Sequence, residues 1–211
     1  MALAHELGAV ADMPLTLGGA AGYNIENLAA AALAAASLGW PLDEVRQVLA
    51  RFGAQASDNP GRLECHGWRG ATVLVDYAHN PDGLAQLLGV ARSLLPLGGS
   101  GRLLLLLGQA GNRDDEAIAA LAQVATAARP DRVIIKELTA MLRGREAGEV
   151  PALLERALRA AGLPAERLQH GGDEAEAARR LLDAAERGDV VVLPVHTAVV
   201  RDSLAAVWAA G

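Results

Sequence analysis

Apolar and polar residues change their period along this chain. From about Leu63 onward, short apolar runs of strand length alternate with segments whose apolar residues recur every three or four positions, the pattern of a sheet wound with crossover helices. Ala71 to Val75 reads as a strand. Asn80-Pro81 then offers a helix N-cap followed by proline at the first helical position, with Leu84, Leu87, Leu88 and Ala91 at helical spacing. Arg102 to Leu107 is a nearly continuous apolar strand, as expected where both faces are buried, and beyond Gly108 a helix presents Ile118, Leu121, Ala122 and Ala125. Arg132 to Lys136 forms the next strand, and a helix with Val150, Leu153, Leu154, Ala157 and Leu158 on one face ends before Gly162. Asp173 with Glu176 caps a helix expected to run through Arg187, and Val190 to Leu193 is the last strong strand. The pattern predicts an α/β fold with a mostly parallel sheet of about five or six strands and flanking helices.

The first fifty-odd residues follow a different pattern. A glycine-rich turn, Leu17-Gly18-Gly19, leads into an alanine-rich helix and then a second helix whose Leu42, Val45, Leu49 and Phe52 share a face. This small helical segment has no sheet of its own to cover. Gln55 to Gly61, rich in Ser, Asp, Asn, Pro and Gly, reads as a linker, dividing the chain into residues 1–55 and 56–211.

Composition narrows the chemistry. Every basic residue except Lys136 is arginine, and Lys136 sits between Ile135 and Glu137, so these 211 residues hold no phosphate loop of the Gly-Lys-Ser/Thr kind. Cys65 stands alone, which excludes an internal disulfide and a Cys-rich zinc site. The histidines His5, His66, His79, His170 and His196 form no His-x-x-x-His pair, and no metal-binding residues are assigned. A net charge of −6 without a dense basic run argues against nucleic acid as a partner. Leu28 to Leu38, the most hydrophobic helical stretch, is shorter than the roughly 20 residues of a membrane span. With no basic and apolar leader at the start, a cytoplasmic protein without a membrane partner is expected.

Three places put polar residues at strand ends, where open α/β sheets bind ligands. The first is Asp76-Tyr77-Ala78-His79-Asn80-Pro81-Asp82-Gly83, in which a carboxylate is suited to ribose hydroxyls and an imidazole three residues on to bracing the loop. The plainer alternative is that Asp76 and Asn80 satisfy only turn and helix-start amides. The second is Gly108-Gln109-Ala110-Gly111-Asn112-Arg113-Asp114-Asp115. It lacks the Gly-x-Gly-x-x-Gly fingerprint, because Ala110 and Arg113 occupy the later glycine positions, and this weighs against a nicotinamide oxidoreductase. The third is Lys136-Glu137 with the following Arg143-Gly144-Arg145. Guanidinium groups bind carboxylates bidentately, and a solvated charged loop is the other reading.

Together these segments resemble the carboxyl-terminal part of the Mur ligase family. The resemblance rests on Gly22-Tyr23-Asn24-Ile25-Glu26-Asn27, Gly61-Arg62-Leu63-Glu64, the Asp-Tyr-Ala-His-Asn-Pro block and Gly108 to Asp114, in that order. The segments Asn112-Arg113-Asp114-Asp115-Glu116, Ile135-Lys136-Glu137, Arg143-Gly144-Arg145 and Gly188-Asp189-Val190-Val191 are most similar to cyanophycin-synthetase members. It implies a Rossmann-like closing domain preceded by the last helices of an ATP-binding central domain, in an enzyme that joins an amino acid to a carboxylate through an acyl phosphate. It further implies that Asn24 and Asn27 contact adenine, that Arg62 is a catalytic residue at the ATP phosphates, and that Asp76 binds ribose with His79 shaping the same loop. Arg143 and Arg145 fall where the incoming amino acid is recognised. ATP and Mg2+ are the implied cofactors, the metal being held by the family's central domain, whose phosphate loop and metal ligands have no counterpart in this sequence. The implied partners are an amino acid and a peptide or poly-amino-acid carboxylate, with homo-oligomerisation left open.

Two departures matter. Tyr23 stands where many members have histidine, and Pro194-Val195-His196-Thr197 replaces the Gly-Lys-Gly-His-Glu signature of peptidoglycan ligases, which argues against a peptidoglycan substrate. The expected function is the carboxyl-terminal part of an ATP-dependent ligase, inactive alone. The alternative is a stand-alone, non-catalytic nucleotide- or protein-binding module of the same fold. Because Asp76 lies at a strand end, its replacement is expected to cost little folding stability.

Overall fold

The computed structural model describes residues 5–96 and 98–209, and the chain forms two compact units, Met1–Pro60 and Gly61–Gly211. In the first unit, two 3-10 turns precede helix α1, Gly22–Ser37, and helix α2, Leu42–Leu49. Met13, Leu28, Ala32, Val45 and Leu49 make its core. Phe52 lies past the end of α2, because the chain turns at Gly53 (φ +91°), where a Cβ would sit 2.9 Å from the Leu15 backbone. Leu33, Leu38, Trp40 and Val48 stay exposed, and α1 and α2 border an apolar groove of about 500 Å³.

The second unit is built on strands β1 (Glu64–Trp68), β2 (Ala71–Asp76), β3 (Leu103–Leu107), β4 (Arg132–Glu137), β5 (Leu168–Asp173) and β6 (Val190–Pro194). They lie in the order β1-β2-β6-β3-β4-β5, all pairs parallel except β1 with β2. The six-stranded, mostly parallel α/β sheet is the predicted one. Two strands carry no readable apolar signal: β1 is a half-exposed edge, and β5 is the polar, glycine-bearing segment at the other edge. Every residue of β3 and β6 is buried, as a central parallel strand requires.

Helices α3 (Pro81–Leu94), α4 (Asp115–Ala127), α5 (Glu149–Ala160), α6 (Glu174–Asp183) and α7 (Ala198–Ala209) flank the sheet. Val73, Val75, Leu104, Leu106, Ile134, Val191 and Leu193 pack with Ala177, Ala178, Leu181 and Leu182 of α6 and Leu204 of α7. Strand residues alternate in direction, so Leu74, Leu105, Ile135 and Val192 point to the opposite face. The N-caps follow local chemistry: the Asn80, Asp114 and Asp173 side chains accept from the N–H of Gly83, Ala117 and Glu176. Helix α6 stops at Asp183, short of the expected Arg187, because the next turn is captured from outside: the Glu186 N–H is taken by Asp189 Oδ2 at 2.9 Å. Trp68 and Trp208 meet edge-to-face at 5.9 Å, with His66 stacked on Trp208 at 5.0 Å. Among the described residues no helix is long and apolar enough to cross a membrane.

Candidate active site

The carboxyl ends of the neighbouring strands β2, β6, β3 and β4 place four loops side by side, the position where parallel sheets take ligands. The loop after β2 carries Asp76, Tyr77, His79 and Asn80. Asp76 Oδ2 accepts the Leu63 N–H at 2.7 Å, which holds Leu63 at the positive φ of 49° and brings the preceding Arg62 to the loop. The Arg62 guanidinium lies 5.1 Å from the Tyr77 ring centroid, and both residues are exposed. Burial pushes the Asp76 carboxyl up, while the N–H groups of Leu63, Ala78 and Tyr77 and the charge of Arg62 pull it back. His79 donates from Nδ1 to the Tyr77 carbonyl at 3.2 Å, and its ring lies 5.2 Å from that of Tyr77. The structure therefore brings Arg62, Asp76 and His79 together. Asp76 and Asn80 also serve the turn and helix-start amides of the plainer alternative, and an ionised carboxylate keeps further acceptor sites beyond the one Leu63 takes.

Asn24 and Asn27 lie one helical turn apart on α1, in the other unit. Asn24 is buried, donating to Leu15 O at 2.9 Å and accepting from Asn27 Nδ2 at 3.2 Å, so it fixes the exposed Asn27 amide. The loops after β3 and β4 meet where the Gly111 N–H donates to Met141 O at 2.9 Å. Arg145 spends its guanidinium on the chain itself: it donates to Gly111 O, Arg113 O, Asp115 and Glu149 within 3.1 Å. Arg143, at φ 47°, is exposed and donates to Asn112 Oδ1 at 3.0 Å. Of the two arginines assigned to substrate, Arg143 is the one presented outward, and Arg145 knits the two loops together.

Sequence reading missed a buried ionic cluster beside these loops. Lys136 is fully buried, with Nζ 2.5 Å from Glu174 Oε1, donating also to the Pro194 carbonyl, and 3.0 Å from His196 Nδ1. It reaches that position because Gly108, the first residue past the adjacent strand β3, has no side chain: a Cβ there would sit 2.5 Å from Lys136 Cγ. The β4/β5 register shifts between Ile135 and Glu137, an irregularity of the kind that re-aims side chains beside sites. Glu174 Oε2 accepts from the N–H and hydroxyl of Thr197, at 2.9 and 2.5 Å, putting the carboxylate at the start of α7. Burial pulls the Lys136 ammonium down to about 8 against the opposing charge of Glu174. Burial works to raise Glu174, but the donors of His196, Lys136 and Thr197 outweigh it and hold the carboxyl well below its usual range. Burial and the Lys136 charge depress the His196 imidazole, which stays neutral near pH 7. Among the described residues no three His, Cys, Asp or Glu side chains gather as a metal site.

Cyanophycin synthetase of Trichormus variabilis is 34% identical over 191 residues, 90% of this chain and 20% of that protein. The chain thus spans about one fifth of the length of the cyanophycin synthetases it matches. The structure of a UDP-N-acetylmuramoyl-L-alanyl-D-glutamate–2,6-diaminopimelate ligase superposes with TM-score 0.54 at 26% identity, covering 81% of this chain and 32% of that one. A bifunctional folylpolyglutamate synthase/dihydrofolate synthase with Mn, AMPPNP and L-glutamate bound shares the fold at TM-score 0.55 and 23% identity, covering 77% of this chain and 34% of its own. The family model for the Mur ligase glutamate ligase domain matches residues 61–194, and the chain belongs to the Mur ligase family.

Proposed function

We propose that this chain is the carboxyl-terminal part of an ATP-dependent acid–amino acid ligase of the cyanophycin-synthetase type, residues 1–55 being the last helices of its ATP-binding central domain and residues 56–211 the closing domain. The observation that carries this reading is the strand-end group of Arg62, Asp76, Tyr77 and His79, on a chain 34% identical to a cyanophycin synthetase over 90% of its length. In the proposed reaction a substrate carboxylate oxygen attacks the terminal phosphorus of ATP, giving an acyl phosphate and ADP. The amine of the incoming amino acid then attacks the acyl carbon, an amide forms and phosphate leaves.

Within that scheme each residue has a task suited to its chemistry. Asp76 accepts from ribose hydroxyls, and the exposed amide of Asn27, donor and acceptor at once and fixed by the buried Asn24, reads the adenine edge. The exposed Arg62 stabilises charge on the transferring phosphoryl group. Arg143, with Asn112, takes the carboxylate of the incoming amino acid. Mg2+ accompanies the nucleotide and is held outside this chain. The 211 residues contain no Gly-Lys-Ser/Thr phosphate loop, so this chain alone is expected to be inert.

The test compares the chain with the complete gene product. The complete protein should form amides only with ATP present, and Arg62→Ala in it should lower kcat more than nucleotide affinity. ATP hydrolysis or ligation at an enzyme-like rate by the 211-residue chain alone would sink the reading. A reading frame without an upstream phosphate loop would favour a stand-alone binding module instead.

A further inference from the structure

We propose that His196 and Gln109 are positioning residues of the nucleotide loop, each holding one of two successive carbonyls, and that Lys136 with Glu174 sets the geometry of that clamp; the nucleotide part rests on the ATP reading above. Between the end of β2 and the start of α3, the backbone has neither a helix nor a ladder to satisfy it, and its carbonyls must find donors elsewhere. The Asp76 carbonyl takes the Val195 N–H at 2.7 Å, the last rung toward β6. The Ala78 carbonyl faces His196 Nε2 at 3.3 Å, and the His79 carbonyl accepts from Gln109 Nε2 at 3.0 Å. Both donor side chains are buried, and they come from the loops after β6 and β3, the next two strands in the sheet.

Each donor is itself fixed. The Gln109 amide is oriented because its Oε1 accepts the Ala110 N–H at 3.0 Å. For His196 the orientation comes from Lys136. An ammonium has only hydrogens to give, so at 3.0 Å from Nδ1 it makes that nitrogen the acceptor and leaves the ring proton on Nε2, the side facing Ala78. The groups facing the imidazole are Lys136 from β4, Glu174 from α6, 3.5 Å from Nδ1, and Tyr77 from the loop after β2, whose ring meets it edge-on at 5.4 Å. Glu174 in turn accepts the His196 backbone N–H at 2.8 Å, so ring and backbone are gripped by one ion pair. Tyr77 also carries Arg62 on its face. Packing thus runs from the buried lysine through His196 and Tyr77 to the arginine assigned to the phosphates, and none of the residues behind Tyr77 needs to touch the nucleotide.

The clamp is tested in two settings. In the 211-residue chain labelled with 15N-histidine, NMR should show His196 neutral at pH 7 with its proton on Nε2. Hydrogen exchange of the amides of residues 77–80 should quicken about tenfold in His196→Phe and in Gln109→Leu, and stay within about twofold in His196→Gln, whose amide can still donate to Ala78, a loss of about one neutral hydrogen bond. In the complete protein, His196→Phe should raise KM for ATP about tenfold with kcat within about twofold, and His196→Gln should restore it. A proton on Nδ1, a charged imidazole at pH 7, or unchanged exchange in both Gln109→Leu and His196→Phe overturns the clamp. A complete wild-type protein that uses no ATP overturns the nucleotide role, and the NMR and exchange measurements, made without nucleotide, distinguish that failure from failure of the clamp.

Discussion

Asp76 has a structural task that its place in the sequence does not announce. A strand-end carboxylate reads as dispensable for folding, yet its Oδ2 is the acceptor that holds Leu63 at positive φ. Asp76→Ala should therefore cost about 1.5–3 kcal/mol in urea unfolding, the range for a hydrogen bond to a charged group, whereas Asp76→Asn, which keeps an acceptor oxygen, should cost less than half of that. Both should weaken ATP use in the complete protein, so the pair separates folding from binding. His196 carries a pH prediction. Its pKa is depressed in the folded chain, so below the unfolded value of about 6.5 the unfolded chain binds a proton that the folded one refuses. Stability is therefore lost as pH falls from about 6.5 toward the folded value, with a slope of at most about 1.4 kcal/mol per pH unit for one proton. Urea midpoints between pH 7.5 and 5.5 should fall further for the wild type than for His196→Gln, the other histidines cancelling in the difference.

Where elements meet, legibility depends on how far apart the partners lie in the chain. Asn80-Pro81 and Asp173 were readable as helix starts because a cap acts within three residues, and β3 and β6 because burial on both faces leaves an unbroken apolar run. The Lys136 cluster was not, since Glu174 and His196 follow 38 and 60 residues later and meet it only once α6 and β6 are in place. Strand β5 gave no signal for a related reason: its pairing is set by β4, and Gly171 is required by space, a Cβ there lying 2.5 Å from Ala177 and Ile134 side-chain atoms. Of the candidate site residues, the Asp76 loop and Arg62 stand in readable motifs, whereas Gln109 and His196 contact backbone carbonyls and leave no pattern of their own. Lys136→Met strands a buried carboxylate and should destabilise by about 3–5 kcal/mol, most of it regained in Lys136→Met with Glu174→Gln, as denaturant titration would show. Gly111 locks the loops after β3 and β4: a Cβ there would lie 1.8 Å from the Leu142 carbonyl oxygen. Gly111→Ala should cost about 1–3 kcal/mol and loosen the Arg143 loop, visible as faster amide exchange over residues 139–146.

At the scale of the whole chain, the two units differ in what they can bury. The unit Met1–Pro60 rests on a core around Met13, Leu28, Ala32, Val45 and Leu49, and a piece of about 60 residues buries too small a share of its surface to be more than marginally stable. Native-state hydrogen exchange should show the amides of α1 and α2 opening at lower free energy than those of β3 and β6, which open only with the sheet. Equal protection in both would mean that the units unfold as one. The helical unit leaves Leu33, Leu38 and Trp40 exposed. The placement of the tryptophans makes these differences observable by light. Trp40 is 59% exposed on the helical unit, while Trp68 and Trp208 share a half-buried contact in the sheet unit. The first emits as a solvated indole and the second pair as a shielded one, so the red and blue sides of a single fluorescence band report on different units. The imidazole of His66, stacked on Trp208, couples the blue side to the β1 edge of the sheet.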